Sequence, residues 1–123
     1  MHTSIGIIRY NDEESKVFME CPSQISDYYR SFVPKEIELN KPRFAPHVTV
    51  VRKEIIVKRD EWRKYDGHEF SFEYSPIIGN NETYWWLPVT SKQLEVLREG
   101  LGLIGCPPWH NGFHLTIGNT KGR

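Results

Sequence analysis

A four-residue pattern occurs twice in this chain of 123 residues, as HVTV at residues 47–50 and as HLTI at residues 114–117. In both copies the first and third residues are polar and the second and fourth are apolar. This alternation is typical of a β-strand with one buried face, because successive side chains point to opposite faces. Each copy therefore predicts a strand that presents a histidine and a threonine side by side.

The chain before the first copy predicts a hairpin followed by a helix. Residues 3–10 and 16–20 are strand-like segments separated by the turn-like sequence NDEES. Pro22 suits the first turn of a helix, and Pro34 ends that helical segment. The predicted apolar face of this helix is formed by Ile25, Tyr28, Tyr29 and Phe32.

The chain before the second copy repeats this plan. Residues 68–75 alternate between polar and aromatic side chains, and residues 83–89 are also strand-like. Thr90 and Gln93 match a capping box at the start of a helix near residues 91–101. The predicted apolar face of this second helix is formed by Leu94, Leu97 and Leu101.

These patterns predict a single α+β domain over residues 1–123, a length that supports one hydrophobic core. We expect two pseudo-symmetric lobes, at about residues 1–52 and 68–123, each with a hairpin, a helix and an HxTx strand. The lobes are expected to form antiparallel sheets around a central cleft. The joining segment 53–67 predicts a short strand and a helical turn.

Two imidazoles and two hydroxyls in one cleft suit the cleavage of a phosphodiester without a metal. A neutral histidine takes a proton from an attacking oxygen, and a protonated histidine gives one to the leaving oxygen. Threonine hydroxyls donate hydrogen bonds to the non-bridging phosphate oxygens as charge develops. The sequence leaves open which histidine would act as base and which as acid.

Two other interpretations of these histidines stay open at this point. Each can be a structural or surface residue of an ordinary strand, as most strand histidines are. Alternatively, the five histidines of the chain can hold a metal, although there is no HExxH motif and no His–Cys cluster. His110 and His114 are four residues apart, but Pro107, Pro108 and Gly112 argue against a helix there. We therefore predict no metal and no cofactor.

The paired HxTx motifs, one in each half of a small α+β chain, resemble those of the two-histidine (2H) phosphoesterase superfamily. That superfamily includes RNA 2′,3′-cyclic phosphodiesterases, 2′-5′ RNA ligase-like proteins and phosphodiesterases that destroy signalling oligonucleotides. The resemblance implies that His47 and His114 are catalytic and that Thr49 and Thr116 bind phosphate.

Within the superfamily, the short length and the sequence IGIIRY near the N-terminus are most similar to the phage anti-CBASS nucleases. The resemblance implies cleavage of 3′-5′ bonds in cyclic di- or oligonucleotide messengers, as a viral countermeasure to host antiviral signalling. Relatives often continue with further strands after the second motif, whereas this sequence ends six residues after HLTI. One alternative is a 2′,3′-cyclic phosphodiesterase acting on RNA ends, and another is a non-catalytic sponge that binds a nucleotide.

Several side chains near the two motifs are candidates for holding the rest of such a substrate. The candidates for base and sugar contacts are Tyr10, Trp86, Trp109 and His110. The candidates for attracting phosphate are Arg43, Arg52 and Lys121, which flank the motif strands. For each of them a core position or a solvated strand end is the open alternative.

Charge and composition limit the partners and the compartment. Sixteen basic and sixteen acidic residues give zero formal net charge, which argues against binding to long nucleic acid. The sequence has neither a signal peptide pattern nor an apolar stretch long enough to span a membrane. Cys21 and Cys106 form no CxxC motif and are expected to be free thiols. We therefore expect a cytoplasmic protein, and the resemblance implies a cyclic nucleotide or oligonucleotide as its ligand.

Overall fold

A computed structural model describes residues 1–121 of the chain. Its strands are β1 (His2–Asn11), β2 (Lys16–Glu20), β3 (His47–Arg52), β4 (Glu69–Tyr74), β5 (Gly79–Asn80), β6 (Tyr84–Thr90) and β7 (His114–Asn119). Its helices are α1 (Ser23–Arg30) and α2 (Lys92–Gly100), and two single 3-10 turns lie at Lys35–Ile37 and Arg59–Glu61. Neither helix of the described chain has the length and apolar character needed to cross a membrane.

The strands form one antiparallel sheet in the order β4-β1-β2-β3-β7-β6-β5. An additional pairing of β4 with β6 closes this sheet into a barrel-like ring. The protein is therefore an α+β structure with one closed sheet, and the prediction of more than one sheet was wrong. The two HxTx strands, β3 and β7, are neighbours in this sheet and are joined at the pair Val48–Leu115.

The two predicted hairpins have different outcomes. The first is confirmed, since β1 and β2 pair from Ile7–Glu20 to Asn11–Lys16. The second is wrong, because β4 forms six residue pairs with β1 but only two with β6. The hairpin partner of β6 is instead the short strand β5. Alternating aromatics correctly predict that β4 buries one face, but they carry no information about which strand is hydrogen-bonded beside it.

Helix α2 lies where the sequence predicts it, with a different cap. Its three leucines are almost completely buried: Leu94, Leu97 and Leu101. The predicted capping box of Thr90 and Gln93 was wrong by one residue. The N-cap is Ser91, whose hydroxyl accepts a hydrogen bond from the Leu94 amide at 3.2 Å. The Gln93 side chain instead accepts a hydrogen bond from the Ser71 amide at 2.6 Å, which ties the helix to β4.

The predicted apolar face of α1 is buried only in part. Tyr29 is buried and Ile25 partly so, whereas Tyr28 and Phe32 are 58% and 60% exposed. Phe32 lies beyond Arg30, where the helix ends, so the helical spacing no longer applies to it. Residues 53–67 contain the predicted turn, at the second 3-10 helix, but no strand.

The core lies on the face of the sheet that the two helices cover. Helix α1 packs against β7, and α2 packs against β3 and β4. On the two HxTx strands, the apolar residues Val48, Val50, Leu115 and Ile117 are completely buried. The histidine and the threonine of each motif are only half-buried, so their side chains face the open side.

Both cysteines are free thiols, as predicted. Cys21 lies partly buried at the end of β2, and Cys106 is exposed. Burial raises the pKa of the Cys21 thiol to about 12. That thiol therefore stays protonated at neutral pH and is a poor nucleophile.

Candidate active site

The four polar residues of the two HxTx motifs line one cleft of about 940 Å³. The antiparallel register of β3 and β7 places each histidine opposite the threonine of the other motif. His47 lies opposite Thr116, and His114 lies opposite Thr49. The two strands therefore form a single cluster of two imidazoles and two hydroxyls.

The register also determines the spacing between the histidines. His47 and His114 are diagonal neighbours on the same face, for which Cβ atoms are typically about 7–8 Å apart. This separation leaves room for a phosphate group between the rings. Each ring can then reach a different oxygen of that phosphate by a hydrogen bond.

Backbone carbonyls orient the two imidazole rings in the same way. Nδ1 of His47 lies 2.9 Å from the Ala45 carbonyl oxygen, and Nδ1 of His114 lies 2.7 Å from the Gly112 carbonyl oxygen. Because a carbonyl oxygen only accepts, Nδ1 must be the protonated nitrogen in both rings. Nε2 is therefore left to accept or donate a proton in the cleft.

Burial is the main influence on the protonation of both histidines. It lowers the pKa of His47 and of His114 below the ordinary value of 6.5, and the hydrogen bonds to backbone carbonyls oppose this effect. The positive charges of Lys16 and of His114 lower the pKa of His47 further, and Glu20 raises it. The charge of His114 is thus one of the causes that lower the pKa of His47, so the protonation of the two rings is coupled.

An aromatic ring from the neighbouring strand packs against each histidine. Phe18 of β2 contacts His47 edge to face with ring centres 5.6 Å apart, and Trp86 of β6 contacts His114 similarly at 6.1 Å. Gly79 makes the position of Trp86 possible, because a Cβ atom there would lie 2.8 Å from the indole nitrogen. Both histidines are thus held by a ring on one side and a carbonyl on the other.

Each HxTx strand has a β-bulge directly after its threonine. Val50 and Ile117 are passed over in the pairing with the neighbouring strand. The carbonyl of each bulge residue accepts a hydrogen bond from an arginine of a helix. Arg98 of α2 donates to the Val50 oxygen at 2.8 Å, and Arg30 of α1 donates to the Ile117 oxygen at 3.0 Å. Each helix therefore fixes the HxTx strand that lies in the other half of the chain.

Arg98 is the more deeply buried of these two arginines, at 1% exposure. Its guanidinium forms a two-pronged ion pair with Glu54 at 2.7 Å for each bond, and its Nε donates to the Ile104 carbonyl at 2.8 Å. Arg30 pairs with Asp27 closer to the surface. Sequence reasoning missed both arginines, although they precede His47 and His114 by the similar intervals of 17 and 16 residues.

The two sides of the cleft differ in chemistry. One side, which we call the cationic wall, consists of Lys16, Arg52 and Lys53. The other side, the aromatic wall, consists of Tyr84 and Trp86 of β6. Trp109 also lines the cleft, but its ring centre lies 5.8 Å from the guanidinium of Arg98, which binds the Val50 carbonyl of β3. The remaining lining residues are Glu13, Glu14, Phe44, Asn81 and Asn111.

The predicted base- and sugar-binding residues divide into two groups. Trp86 and Trp109 line the cleft, and the Trp109 indole nitrogen donates to the Gly112 carbonyl at 2.8 Å, which closes the loop before β7. His110 is exposed and Tyr10 is packed elsewhere, and neither is among the described residues that line the cleft. The Tyr10 hydroxyl accepts a hydrogen bond from the Tyr65 amide at 3.3 Å.

The predicted phosphate-attracting residues also divide. Arg52 lines the cleft as part of the cationic wall. The Arg43 guanidinium lies 5.8 Å from the centre of the Phe44 ring, and the Lys121 ammonium lies 5.0 Å from the centre of the Tyr84 ring. Both cations therefore contact aromatic residues of the lining without lining the cleft themselves.

Sequence reasoning missed the other lining residues for a common reason. Lys16 shares its face of β2 with Phe18, so strand alternation could have placed it beside the motif once the neighbouring strand was known. Lys53, Phe44 and Asn111 lie in loops, where no periodic pattern predicts the direction of a side chain. Their place in the cleft depends on the tertiary fold.

The described residues contain no cluster of metal ligands and one cavity of note outside the cleft. Within residues 1–121, no three His, Cys, Asp or Glu side chains come together as metal ligands would. A second cavity of about 370 Å³ lies beside α1, lined in part by Asp27, Arg30 and Leu39. It contains none of the HxTx residues, so it is separate from the cleft.

No protein-family model matches this sequence, and no characterised protein or solved structure matches it. The comparisons therefore assign neither a family nor a function. What the site can do follows from its residues and its geometry.

Proposed function

We propose that the protein is a metal-independent phosphodiesterase that cleaves 3′-5′ bonds in cyclic di- or oligonucleotide messengers. One observation carries this proposal above the others. Two imidazoles with Nδ1 bound to backbone carbonyls lie diagonally across neighbouring strands, with a threonine hydroxyl opposite each of them. This is the arrangement that acid–base cleavage of a phosphodiester requires.

The reaction uses only side chains of the cleft and the substrate. Nε2 of the neutral histidine takes the proton of a ribose 2′-hydroxyl, and the 2′-oxygen forms a bond to the adjacent phosphorus. The bond from phosphorus to the 5′-oxygen breaks, and the protonated histidine gives its proton to that oxygen. Thr49 and Thr116 donate hydrogen bonds to the non-bridging oxygens. The product carries a 2′,3′-cyclic phosphate.

We also propose that the chain consists of two pseudo-symmetric lobes of the kind found in 2H phosphoesterases. Three equivalences between the halves support this interpretation. Each HxTx strand has a bulge after its threonine, each bulge carbonyl binds a helix arginine, and each histidine packs against a ring of the neighbouring strand. These equivalences do not depend on sequence identity between the halves.

The size and lining of the cleft support a small nucleotide as the substrate. A volume of about 940 Å³ is near the upper end of the range for small-molecule sites, which is about 300–1,000 Å³. The aromatic side chains Tyr84, Trp86 and Trp109 line the cleft and offer faces on which a nucleobase can stack. Zero net charge is unusual for a protein that grips long nucleic acid. We expect the protein to act in the cytosol, where such messengers are made.

The test is to incubate the protein with cyclic dinucleotides and 2′,3′-cyclic nucleotides in the presence of EDTA and to identify the products. We expect the cyclic dinucleotides to be opened to products that carry a 2′,3′-cyclic phosphate. His47→Ala and His114→Ala should each lower kcat by about 10²–10⁴-fold, because each removes one partner of the acid–base pair. His2→Ala is the matched control, since His2 is exposed on β1 and stacks on Tyr74 away from the cleft.

Three results would contradict the proposal in different ways. Full activity of His47→Ala or of His114→Ala would show that the two histidines do not act as an acid–base pair. Opening of 2′,3′-cyclic nucleotides alone would indicate the RNA-end reaction instead. A cyclic dinucleotide that is bound and recovered intact would indicate a nucleotide sponge.

A further inference from the structure

Equivalent positions on the two sides of the cleft carry different chemistry. The register places Phe18 opposite Thr49 and Trp86 opposite Thr116, so β2 and β6 occupy corresponding places. Two residues earlier, on the same face, β2 carries Lys16 whereas β6 carries Tyr84. The two sides therefore offer a substrate different partners at the same distance from the histidines.

The same contrast continues on the HxTx strands themselves. Five residues after each motif histidine, β3 carries Arg52 whereas β7 carries Asn119. At the following position Lys53 corresponds to Thr120. The first HxTx half thus has three cations at positions where the second half has a phenol, an amide and a hydroxyl.

The cations of this wall are available to a ligand. Within residues 1–121, ion pairs are formed by other basic residues, namely Arg9, Arg30, Arg63, Lys64 and Arg98. Lys16 lies opposite Arg52 in the register, and its ammonium lies 5.4 Å from the centre of the Phe18 ring. Glu13 and Glu14 also line the cleft, so this side holds three positive charges against two negative ones.

The cations are displaced along the strands from Thr49, which lies opposite His114. Lys16 is two residues along β2 from Phe18, the residue opposite Thr49, which corresponds to about 7 Å. Arg52 lies opposite Lys16 because the bulge at Val50 takes up one residue of β3, so it is displaced from Thr49 by a similar distance of about 7 Å. An anion bound there is therefore a different group from the phosphate held between the histidines.

We propose that the cationic wall is a second anion subsite, which takes a phosphate on the nucleotide next to the cleaved bond while the aromatic wall stacks a nucleobase. This inference rests on the proposed function, because it places the cleaved phosphodiester between His47 and His114. It favours cyclic di- and oligonucleotides, which have at least two phosphate groups, over 2′,3′-cyclic mononucleotides, which have one. It also gives the substrate one direction in the cleft, with the base on the side of Trp86.

Binding of 2′-deoxy dinucleotides tests this inference independently of turnover. The probes are dApdA, the same dinucleotide with a 5′-terminal phosphate, and the same dinucleotide with a 3′-terminal phosphate. They have no 2′-hydroxyl to attack the phosphorus, so they are bound without being consumed. Their dissociation constants are measured by titration calorimetry on the wild-type protein and on Lys16→Gln, Arg52→Gln and Lys92→Gln.

We expect one of the terminally phosphorylated probes to bind about tenfold more tightly than dApdA, as a charge-assisted contact implies. Lys16→Gln and Arg52→Gln should each reduce this preference and make the salt dependence of binding less steep, by about 0.7 in log–log slope per lost contact. Lys92→Gln should leave the preference unchanged, since Lys92 is exposed on α2 outside the cleft lining.

Three outcomes would overturn the inference: equal affinity for all three probes, a preference that persists in Lys16→Gln and Arg52→Gln, or no binding of any probe. The proposed function fails separately. If the preference is found and depends on both cations while no ribose substrate is cleaved, the anion subsite stands and the phosphodiesterase does not.

Discussion

The two sides of the cleft have the same construction but different surfaces. On both sides a bulged strand carries a histidine and a threonine, and a helix arginine binds the bulge carbonyl. The wall beside β2 is cationic, and the wall beside β6 is aromatic. The shared features hold the imidazoles and hydroxyls, which under the proposed function act on a phosphate that is itself symmetric. The cationic and aromatic walls differ, and under the proposed function they contact different parts of the substrate, a phosphate and a nucleobase.

Under the proposed function, the shared features would serve the chemistry of the site and the differing features would serve substrate recognition. Backbone carbonyls, register and bulges fix the imidazoles, and these features occur in both halves. Side chains farther along the strands face the same cleft and differ between the halves. Variants can therefore be designed in pairs, one in each half, to test whether a role is shared.

The largest expected effect of such a pair is on stability. Arg98→Met leaves the Glu54 carboxylate and the Val50 carbonyl without their buried partner, and should lower the free energy of unfolding by about 3–5 kcal/mol. Arg30→Met should cost about 1 kcal/mol, because its partner Asp27 is half exposed. Urea denaturation at a single pH measures both values.

The double variant Arg98→Met/Glu54→Met provides the control for this pair. It removes both charges together, so it should recover part of the stability that Arg98→Met loses. If Arg98→Met and Arg30→Met lower the free energy of unfolding equally, the deeper burial of Arg98 does not make it more important for stability than Arg30.

A smaller effect is expected from the aromatic rings that pack on the histidines. Trp86→Leu should weaken the binding of dApdA by about 1–3 kcal/mol, because Trp86 lines the cleft where a base can stack. Phe18→Leu should weaken the binding of dApdA much less than Trp86→Leu does. Phe18 packs against His47 but is not among the described residues that line the cleft. Fluorescence titration measures both, and equal losses would contradict an aromatic wall specific to one side.

Much of the fold could be predicted because it follows from local periodicity. Alternation locates β1, β2, β3, β4, β6 and β7, and the helical spacing of Leu94, Leu97 and Leu101 locates α2. The errors concern partners rather than elements. Periodicity shows that β4 has a buried face, but the strand beside it is chosen by contacts between distant parts of the chain.

The same limit applies to the candidate site. His47, Thr49, His114 and Thr116 could be selected because they form a repeated local pattern, and they line one cleft. Arg98 could not, since its role depends on the Val50 carbonyl, which lies 48 residues away in the chain. The loop residues Phe44, Lys53 and Asn111 follow no periodic pattern and were missed for that reason.

The smallest expected effect is on the pH dependence of stability. Burial lowers the pKa of His47 and His114 in the folded state, so below about pH 6.5 the unfolded chain binds more protons than the folded one. The free energy of unfolding should therefore fall as the pH drops through 6.5 towards the lowered pKa values, and level off below them. In the double variant His47→Gln/His114→Gln, the free energy of unfolding, measured by urea denaturation at a series of pH values, should depend less steeply on pH. An unchanged pH dependence would show that these two histidines are not its cause.

The central claim is that the two HxTx strands form one site, and imidazole NMR during a titration with dApdA tests it most directly. We expect the Nε2 resonances of His47 and His114 to shift along a single binding curve, with both rings protonated at Nδ1 throughout. A shift of only one histidine, two different dissociation constants, or a ring protonated at Nε2 alone in the free protein would contradict the account.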